Sequence, residues 1–300
     1  MQKNFNIVWP KVSNKQEIKS KNILLKKNTP LIKDTIRRSN EIRGQVIIIK
    51  LSSSIISQDY LLTNFVENVQ LLSMCGAKIY IVHDHTNLVN ETLNMFGIDE
   101  KIIHNIKVSD YKSAQIIEMV ISGYINKLIV SKFCSIGSQA IGISGKDGNL
   151  IQAKKNNIKL KRREGLDKVI DIGFVSEPII INPEILLNFE NSEIIPVISP
   201  IACDDKGNTH LLNVDLTAVI ISSSLDADHL ILPCEDIRYL KVKNIDTKTL
   251  QKCLLNKNYS FDILKKIDAN LDIFENANNV HFVNALVVDS ILLSLFDNKK

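Results

Sequence analysis

Three polar positions sit where an α/β chain could put them to use. Lys50 closes the run Gln45-Val-Ile-Ile-Ile-Lys50, and a cation at the carboxyl end of a parallel strand faces the crevice where such sheets bind ligands. Its ammonium would suit a phosphate or a carboxylate; an ordinary solvated strand-end lysine is the plainer account. In Asn213-Val214-Asp215-Leu216 an acidic residue opens an apolar helical run, and capping alone would explain Asp215. Lys265 stands at the start of the last long amphipathic stretch, near the helix end where an anion is favoured, or else is a surface lysine. His83 and His85 form an HxH pair without further ligand spacing, a weak metal signal. Ser144-Gly-Lys-Asp-Gly-Asn149 is a tight turn at minimum and, as a phosphate loop, unspecific.

The elements that must position these residues follow from hydrophobic periodicity. A short helix ends at Arg43-Gly44, and the β-branched run up to Lys50 is typical of a buried parallel strand. Leu62, Phe65, Val66, Val69 and Leu72 recur at helical spacing before Gly76, and Lys78-Ile-Tyr-Ile-Val-His83 is a second buried strand. Helices around 88–96 and 114–120 and a strand at 140–144 continue the alternation. Residues 150–192 are less regular, with a basic stretch at Lys159–Glu164 expected as a hairpin or exposed loop. A second α/β section begins at Ile194 and runs through a helix from Leu216, a strand at His229–Leu232 and a long helix from about Ile263. The alternation predicts a three-layer α/β/α sandwich with a mainly parallel central sheet. Residues 1–28, with seven lysines and little periodicity, read as a mobile extension, a transit peptide being the weaker possibility.

Composition removes whole classes. With 300 residues, 45% hydrophobic and 23% charged, the chain is neither collagen-like nor disordered, and it is too long for a disulfide framework. Its apolar runs fall far short of the roughly 18 residues of a membrane span. The five cysteines stand singly, which fits a reducing, cytoplasmic compartment and buried thiols. Glycine is scarce, 11 in all, and Gly76 alone lies between Gly44 and Gly97. A Walker loop or GxGxxG fingerprint therefore cannot occupy the first βαβ unit. A net charge of +4, spread over 37 basic and 33 acidic residues, makes nucleic acid an unsuitable main partner.

Several segments, in order, resemble the amino-acid kinase family and its acetylglutamate kinase branch over residues 36–297. Arg43-Gly44 with Val46–Lys50 is similar to the family's opening strand and its phosphate-contacting lysine. Ile143-Ser-Gly-Lys-Asp-Gly-Asn-Leu-Ile151 is close to LSGKDGNLI, and Asp171-Ile-Gly-Phe-Val175 to DLGFV. Ile195-Pro-Val-Ile-Ser-Pro-Ile201, Asp205-Lys-Gly-Asn208 and Asn213-Val-Asp215 resemble IPVIxPI, an xDGx turn and NxNAD. The resemblance implies the amino-acid kinase fold and ATP-dependent phosphorylation of the side-chain carboxylate of N-acetyl-L-glutamate, a step of arginine synthesis, with Mg2+ on the nucleotide. Two anions must then approach each other, so catalysis is positioning and charge neutralisation. By the same resemblance Lys50 and Lys265 flank the transferring phosphoryl group, Asp215 holds both lysines and Asn213 binds the substrate. A substrate lobe at 29–192, a nucleotide lobe at 193–300 and at least a homodimer are also implied. The dimer would form through the helix around Ala114–Asn126, whose Ile116, Ile117, Val120 and Ile121 could equally be core. Residues 31–42 could be the extra helix that joins dimers into hexamers in arginine-sensitive relatives.

The glycine loops depart from that pattern. GGN after the first lysine is replaced by Ser52-Ser53-Ser54, and serine does not take positive φ cheaply. HGGGP becomes His83-Asp84-His85-Thr86-Asn87, so Asp84 and His85 stand where backbone N–H groups hold the reacting carboxylate. An inward Asp84 at about 4 Å would repel that carboxylate by roughly 4 kcal/mol at an effective dielectric of about 20. Lys107, in Lys107-Val-Ser-Asp110, replaces the substrate-binding arginine and loses its bidentate fork. GGM before the second lysine reads Ser260-Phe261-Asp262, and the nucleotide loop TDVxGV begins at Cys234 and Glu235. Three functions are compatible with this mixture: a divergent kinase of N-acetyl-L-glutamate or a related small carboxylate, a catalytically weakened relative acting as a binding or regulatory subunit, and a carboxylate or carbamate kinase of the same fold.

Overall fold

Isoleucine and valine make Val46–Leu51 (β1) a strand, and five of its six residues are buried, as a strand covered on both faces requires. The computed structural model describes residues 33, 35–85, 88–98, 101–103, 106–108, 110–160, 168–235, 240–243 and 278–296. By internal packing the chain divides into Met1–Glu41 and Ile42–Lys300. The first unit contributes most of a helix over residues 35–42 (α1), in which the Ser39 hydroxyl donates to the Ile36 carbonyl. The second unit holds all the described strands.

After β1 come α2 (Ser53–Ile56), α3 (Asp59–Met74), β2 (Lys78–His83), α4 (Leu88–Met95) and a small hairpin of β3 (Lys101–Ile103) and β4 (Ile106–Val108). Helix α5 (Tyr111–Glu118) passes through a π-helical stretch, Met119–Ile125, into α6 (Asn126–Ser135). Then follow β5 (Ala140–Ser144), β6 (Ile151–Leu160), β7 (Lys168–Ile181), α7 (Glu184–Leu187), β8 (Ile195–Ser199), β9 (Ile201–Cys203) and β10 (Thr209–Leu212). The described chain closes with α8 (Val214–Ser224), β11 (His229–Cys234), β12 (Leu240–Lys243), β13 (Asn279–Asn284) and α9 (Ser290–Phe296).

The central sheet runs β12-β13-β11-β1-β2-β8-β5. Six strands are parallel, and β12 pairs antiparallel with β13 at one edge. Alternate residues of β1 and β2 feed opposite cores, since side chains in a strand alternate faces. Ile47, Ile49, Leu51, Ile79 and Ile81 pack with Phe65, Val69, Ile129 and Phe133 from α3 and α6. Ile48, Tyr80 and Val82 pack with Ala218, Val219 and Ile221 of α8. This is the expected α/β/α sandwich, and each fully buried side chain of this size contributes about 1.5–3 kcal/mol.

The irregular 150–192 region resolves into a long antiparallel hairpin of β6 and β7. The structure adds what periodicity did not reveal: these strands close a four-stranded barrel with β9 and β10. Residues 1–32, including the whole lysine-rich segment, and the long helix foreseen from Ile263 lie outside the described residues. The expectation of buried thiols is corrected, because Cys134 is exposed and Cys75, Cys203 and Cys234 are half-buried, all as free thiols; Cys134 lies in the last turn of α6 and Cys234 ends β11, where packing thins. Ile116, Ile117, Val120 and Ile121 belong to the core of the single chain. The outer face of the same helical run instead exposes Met119, Tyr124 and Leu128. Among the described residues no helix is long and apolar enough to cross a membrane.

Candidate functional site

The carboxyl ends of β1 and β2 and the amino end of α8 converge. Lys50, at the penultimate position of β1, is buried with its side chain 8% exposed, and its Nζ lies 2.7 Å from Asp215 Oδ1 and 3.8 Å from Asp84 Oδ2. Burial alone would push the ammonium's pKa down. Asp215 and Asp84, with the hydrogen bond that Lys50 donates to Asp215, outweigh burial, and the pKa is raised. Lys50 is therefore a charged, doubly neutralised lysine, not a solvated strand end.

Asp215 does not cap α8. Asn213 does, its Oδ1 accepting from the Leu216 N–H at 3.0 Å while its carbonyl accepts the Thr217 hydroxyl at 2.7 Å. The cap falls to asparagine and places Asp215 in the first turn, where its carboxylate reaches Lys50. Asn213 itself is exposed. With its oxygen committed, its amide nitrogen is the group that could meet a ligand.

Asp84 is fixed from several directions. Its backbone N–H donates to the Leu51 carbonyl at 2.8 Å, tying the ends of β2 and β1 together. Its Oδ1 accepts both the backbone N–H and Nδ1–H of His85 at 2.8 Å, and its Oδ2 faces Lys50. Burial would raise the carboxyl's pKa, but the His85 hydrogen bonds and the Lys50 charge hold it below the ordinary value. The repulsion feared from an inward Asp84 is thus offset locally, since both oxygens already face donors.

Beneath it His83 is fully buried. Its Nδ1 lies 2.9 Å from the Asp84 carbonyl, an acceptor only, so Nδ1 carries the proton and Nε2 accepts from the Asn126 amide at 3.2 Å. Burial pushes His83 down to about 4, against the Asp84 carbonyl and charge. The same Asn126 nitrogen lies 2.9 Å from the Val197 carbonyl and 3.2 Å from the Ser199 hydroxyl, and Asn126 Oδ1 accepts from Lys127 at 3.2 Å. Gly142 on β5 makes room for this network: a Cβ there would stand 1.7 Å from Asn126 Oδ1. Asn126 was not singled out by spacing or motif, and a glycine inside the strand at 140–144 was the one available signal of a close approach.

The serine loop needs no glycine conformation. Ser52 has φ −75° and ψ 154°, and Ser53 and Ser54 enter α2 directly; among the described residues the non-glycine positions with positive φ lie elsewhere, at Asn149, Asp226 and Asp289. Ser52 is buried, with its hydroxyl 3.0 Å from that of Ser54. Cys234, at the end of β11, acts on the Lys50 charge, whereas Glu235 is exposed. The structure thus gathers Lys50, Asp84, His85 and Asp215, with Ser52, Ser53 and Cys234 at neighbouring strand ends. Lys107 is placed only as a backbone position in β4, opposite Ile102, and Lys265 lies outside the described residues. The Ser144–Asn149 segment is a tight turn, the Ser144 N–H and hydroxyl donating to Asp147 at 2.6 and 3.0 Å. Its Lys146 is engaged by Glu118 at 2.9 Å and Thr209 at 3.0 Å. Among the described residues no group of three His, Cys, Asp or Glu could hold a metal ion.

Residues 45–236 match the Amino acid kinase family, a span that contains the whole described cluster. The chain belongs to the amino acid kinase family. It is 29% identical to acetylglutamate kinase of Archaeoglobus fulgidus over 278 residues, 90% of this chain and 96% of that one. It is 33% identical to acetylglutamate kinase of Campylobacter hominis, covering 85% and 88%. Among solved structures, N-acetylglutamate synthase of Neisseria gonorrhoeae, complexed with coenzyme A and N-acetyl-glutamate, aligns with a TM-score of 0.68 at 16% identity over 89% of this chain, which spans 60% of that chain. Isopentenyl phosphate kinase aligns with a TM-score of 0.53 at 15% identity, covering 85% and 97%. At such identities the structures bear on the fold, and they agree with the observed sandwich.

Proposed function

We propose that this amino acid kinase family member transfers the γ-phosphoryl group of ATP to the side-chain carboxylate of N-acetyl-L-glutamate, in arginine biosynthesis and in the cytoplasm. The observation that carries the reading is the Lys50–Asp215 pair, a buried ammonium set by a carboxylate at the mouth of the sheet. Its support comes from relatives named acetylglutamate kinase that align over most of their own length.

In this reading a carboxylate oxygen attacks the γ-phosphorus, the bond to the β-bridging oxygen breaks and ADP leaves. No proton moves, because the acceptor is already ionised. Lys50 stabilises the charge spread over the phosphoryl oxygens, and Asp215 holds Lys50 at its post. Lys265 is assigned the second cation, Lys107 and Asn213 contacts to the acceptor, and Ser52, Ser53, Cys234 and Glu235 the neighbourhood of the nucleotide. Mg2+ would arrive on the nucleotide phosphates and neutralise part of their charge. The donors described, an ammonium and serine hydroxyls, are of the kind that bind phosphate oxygens. A homodimer fits the exposed Met119, Tyr124 and Leu128 on one helical face, and a division into a substrate lobe over 29–192 and a nucleotide lobe over 193–300 is part of the same reading.

A second reading, a binding or regulatory subunit with weak turnover, is favoured by one feature. Lys50 already faces two carboxylates, so a phosphate must compete with both. The deciding experiment is a hydroxylamine trap for acyl phosphate with purified protein, Mg-ATP and N-acetyl-L-glutamate. Signal that is lost in Lys50→Ala supports the kinase; no signal and no thermal shift with nucleotide supports the second reading.

A further inference from the structure

Ile79, Ile81 and Val82 of β2 fill the cores on either side of the sheet. His83, equally buried, breaks the apolar run, and burying an imidazole is unfavourable unless its nitrogens are hydrogen-bonded. Both are. Nδ1–H donates to the Asp84 carbonyl at 2.9 Å, and Nε2 accepts from the Asn126 amide at 3.2 Å. The first of these bonds bears on the site above. The Asp84 N–H is already held by the Leu51 carbonyl at 2.8 Å, so His83 completes the tethering of both backbone groups of Asp84. In a planar trans peptide the carbonyl of one residue and the N–H of the next point in opposite directions. With the Asp84 carbonyl turned onto the buried ring, the His85 N–H is turned outward, to Asp84 Oδ1 at 2.8 Å, and Oδ2 stands 3.8 Å from Lys50 Nζ.

We propose, resting on the phosphotransfer reading above, that His83 is a positioning residue for that reaction. Oriented by Asn126, its ring fixes the Asp84–His85 peptide and, through it, one of the two carboxylates that set Lys50 against the transferring phosphoryl group.

The brace continues into the fold. Lysine only donates, so the Lys127 ammonium at 3.2 Å takes Asn126 Oδ1 and leaves the amide nitrogen to face His83, the Val197 carbonyl at 2.9 Å and the Ser199 hydroxyl at 3.2 Å. Ser199 in turn donates to the Ile143 carbonyl at 3.2 Å. The ring is thus braced from α6, β8 and β5, and Gly142 on β5 leaves Asn126 the space it needs. These residues reach Lys50 through Asp84, which is why a fault in the brace should show in the chemistry as well as in stability.

The test replaces one ring contact at a time. His83→Gln can set its amide oxygen where Nε2 stands and keep the Asn126 contact, but it has no donor at the place of Nδ1. His83→Asn carries an amide nitrogen at that place and keeps the donor to Asp84, but does not reach Asn126. Initial rates of acyl phosphate formation from Mg-ATP and N-acetyl-L-glutamate give kcat and KM, and urea unfolding of the same samples gives stability. His83→Gln should lower kcat about a hundredfold, the scale of a misplacement of about 1 Å, with little change in the KM for ATP. His83→Asn should recover most of that loss even where it is the less stable of the two. A role in packing alone would rank the variants by stability and leave kcat per folded molecule unaltered. In the wild-type chain, nitrogen NMR of the His83 ring should show Nδ1 protonated at neutral pH. An Nε2–H tautomer, or a kcat that is unaltered in His83→Gln or lowered equally in both variants, would overturn the proposal and leave the phosphotransfer reading standing. A wild-type chain that forms no acyl phosphate overturns that reading and this role with it.

Discussion

The Lys50 ammonium and the Asp215 carboxylate meet at 2.7 Å, one from the first strand of the sheet and the other from the first turn of α8. Removing either leaves a charge in a poorly hydrated place, so the two positions should fail differently. Lys50→Ala should lower turnover about a thousandfold, the scale of losing one well-placed electrostatic donor. Acyl phosphate trapping on the folded variant measures it, and near wild-type turnover would remove Lys50 from the mechanism.

Asp215→Asn keeps the shape of the side chain but leaves Lys50 with Asp84 as its remaining described carboxylate at 3.8 Å. Breaking a buried pair in this way costs about 3 kcal/mol or more. The denaturant midpoint should fall accordingly; an unchanged midpoint would mean that Lys50 is solvated in solution.

The cap of α8 predicts a smaller effect. Asn213→Ala removes the acceptor for the Leu216 N–H, at a cost of about 1 kcal/mol, or a fall in Tm of about 2 °C for a chain of this size. A larger rise in the KM for N-acetyl-L-glutamate than this stability loss accounts for would support Asn213 as a substrate contact.

Gly142 is the position where one methyl group should do most harm. A Cβ would overlap Asn126 Oδ1 and approach Lys127 Nζ to 2.5 Å, so Gly142→Ala should destabilise by about 3 kcal/mol. Adding Asn126→Gly removes the obstructing side chain, and the double variant should be more stable than the sum of the two single losses. Strict additivity, measured by urea unfolding, would show that the network yields without strain.

Acid should act in two stages. Folded His83 takes a proton near pH 4, against 6.5 for the unfolded chain, so between these values the unfolded state binds more protons and stability falls as the pH drops. The loss amounts to about 3 kcal/mol and removes the acceptor of the Asn126 amide. Asp84, held below the ordinary carboxylate value, contributes stability that is present above its unfolded pKa and is lost as the pH falls through its folded one. His83→Asn should abolish the first stage and spare the second; an unchanged profile between pH 6.5 and 4 would contradict the buried neutral imidazole.

Much of the sheet was legible because its signal is local. The β-branched runs of β1, β2 and β8 and the helical spacing from Leu62 to Leu72 each require burial on defined faces, and the structure buries them there. The barrel of β6, β7, β9 and β10 was not legible, since closure depends on pairings such as Leu211 with Val175 that no short window contains. Which residue caps α8 was not legible for a related reason: Asn213 and Asp215 are both competent caps, and the choice became plain only with the turn in place.

The order of residue types alone determined an α/β sandwich, a lysine at the mouth of its first strand, an acidic residue opening α8, and glycine-poor loops that exclude a Walker cradle. Tertiary structure decided what those residues do to one another. It turned the Asp84 carboxylate onto His85 and Lys50, let the serine loop run without positive φ, and set Asn126 and Gly142 beneath the site. The physical reason is that propensity and periodicity act over a few residues, whereas the charge state of a buried group is fixed by neighbours that the fold brings from distant strands.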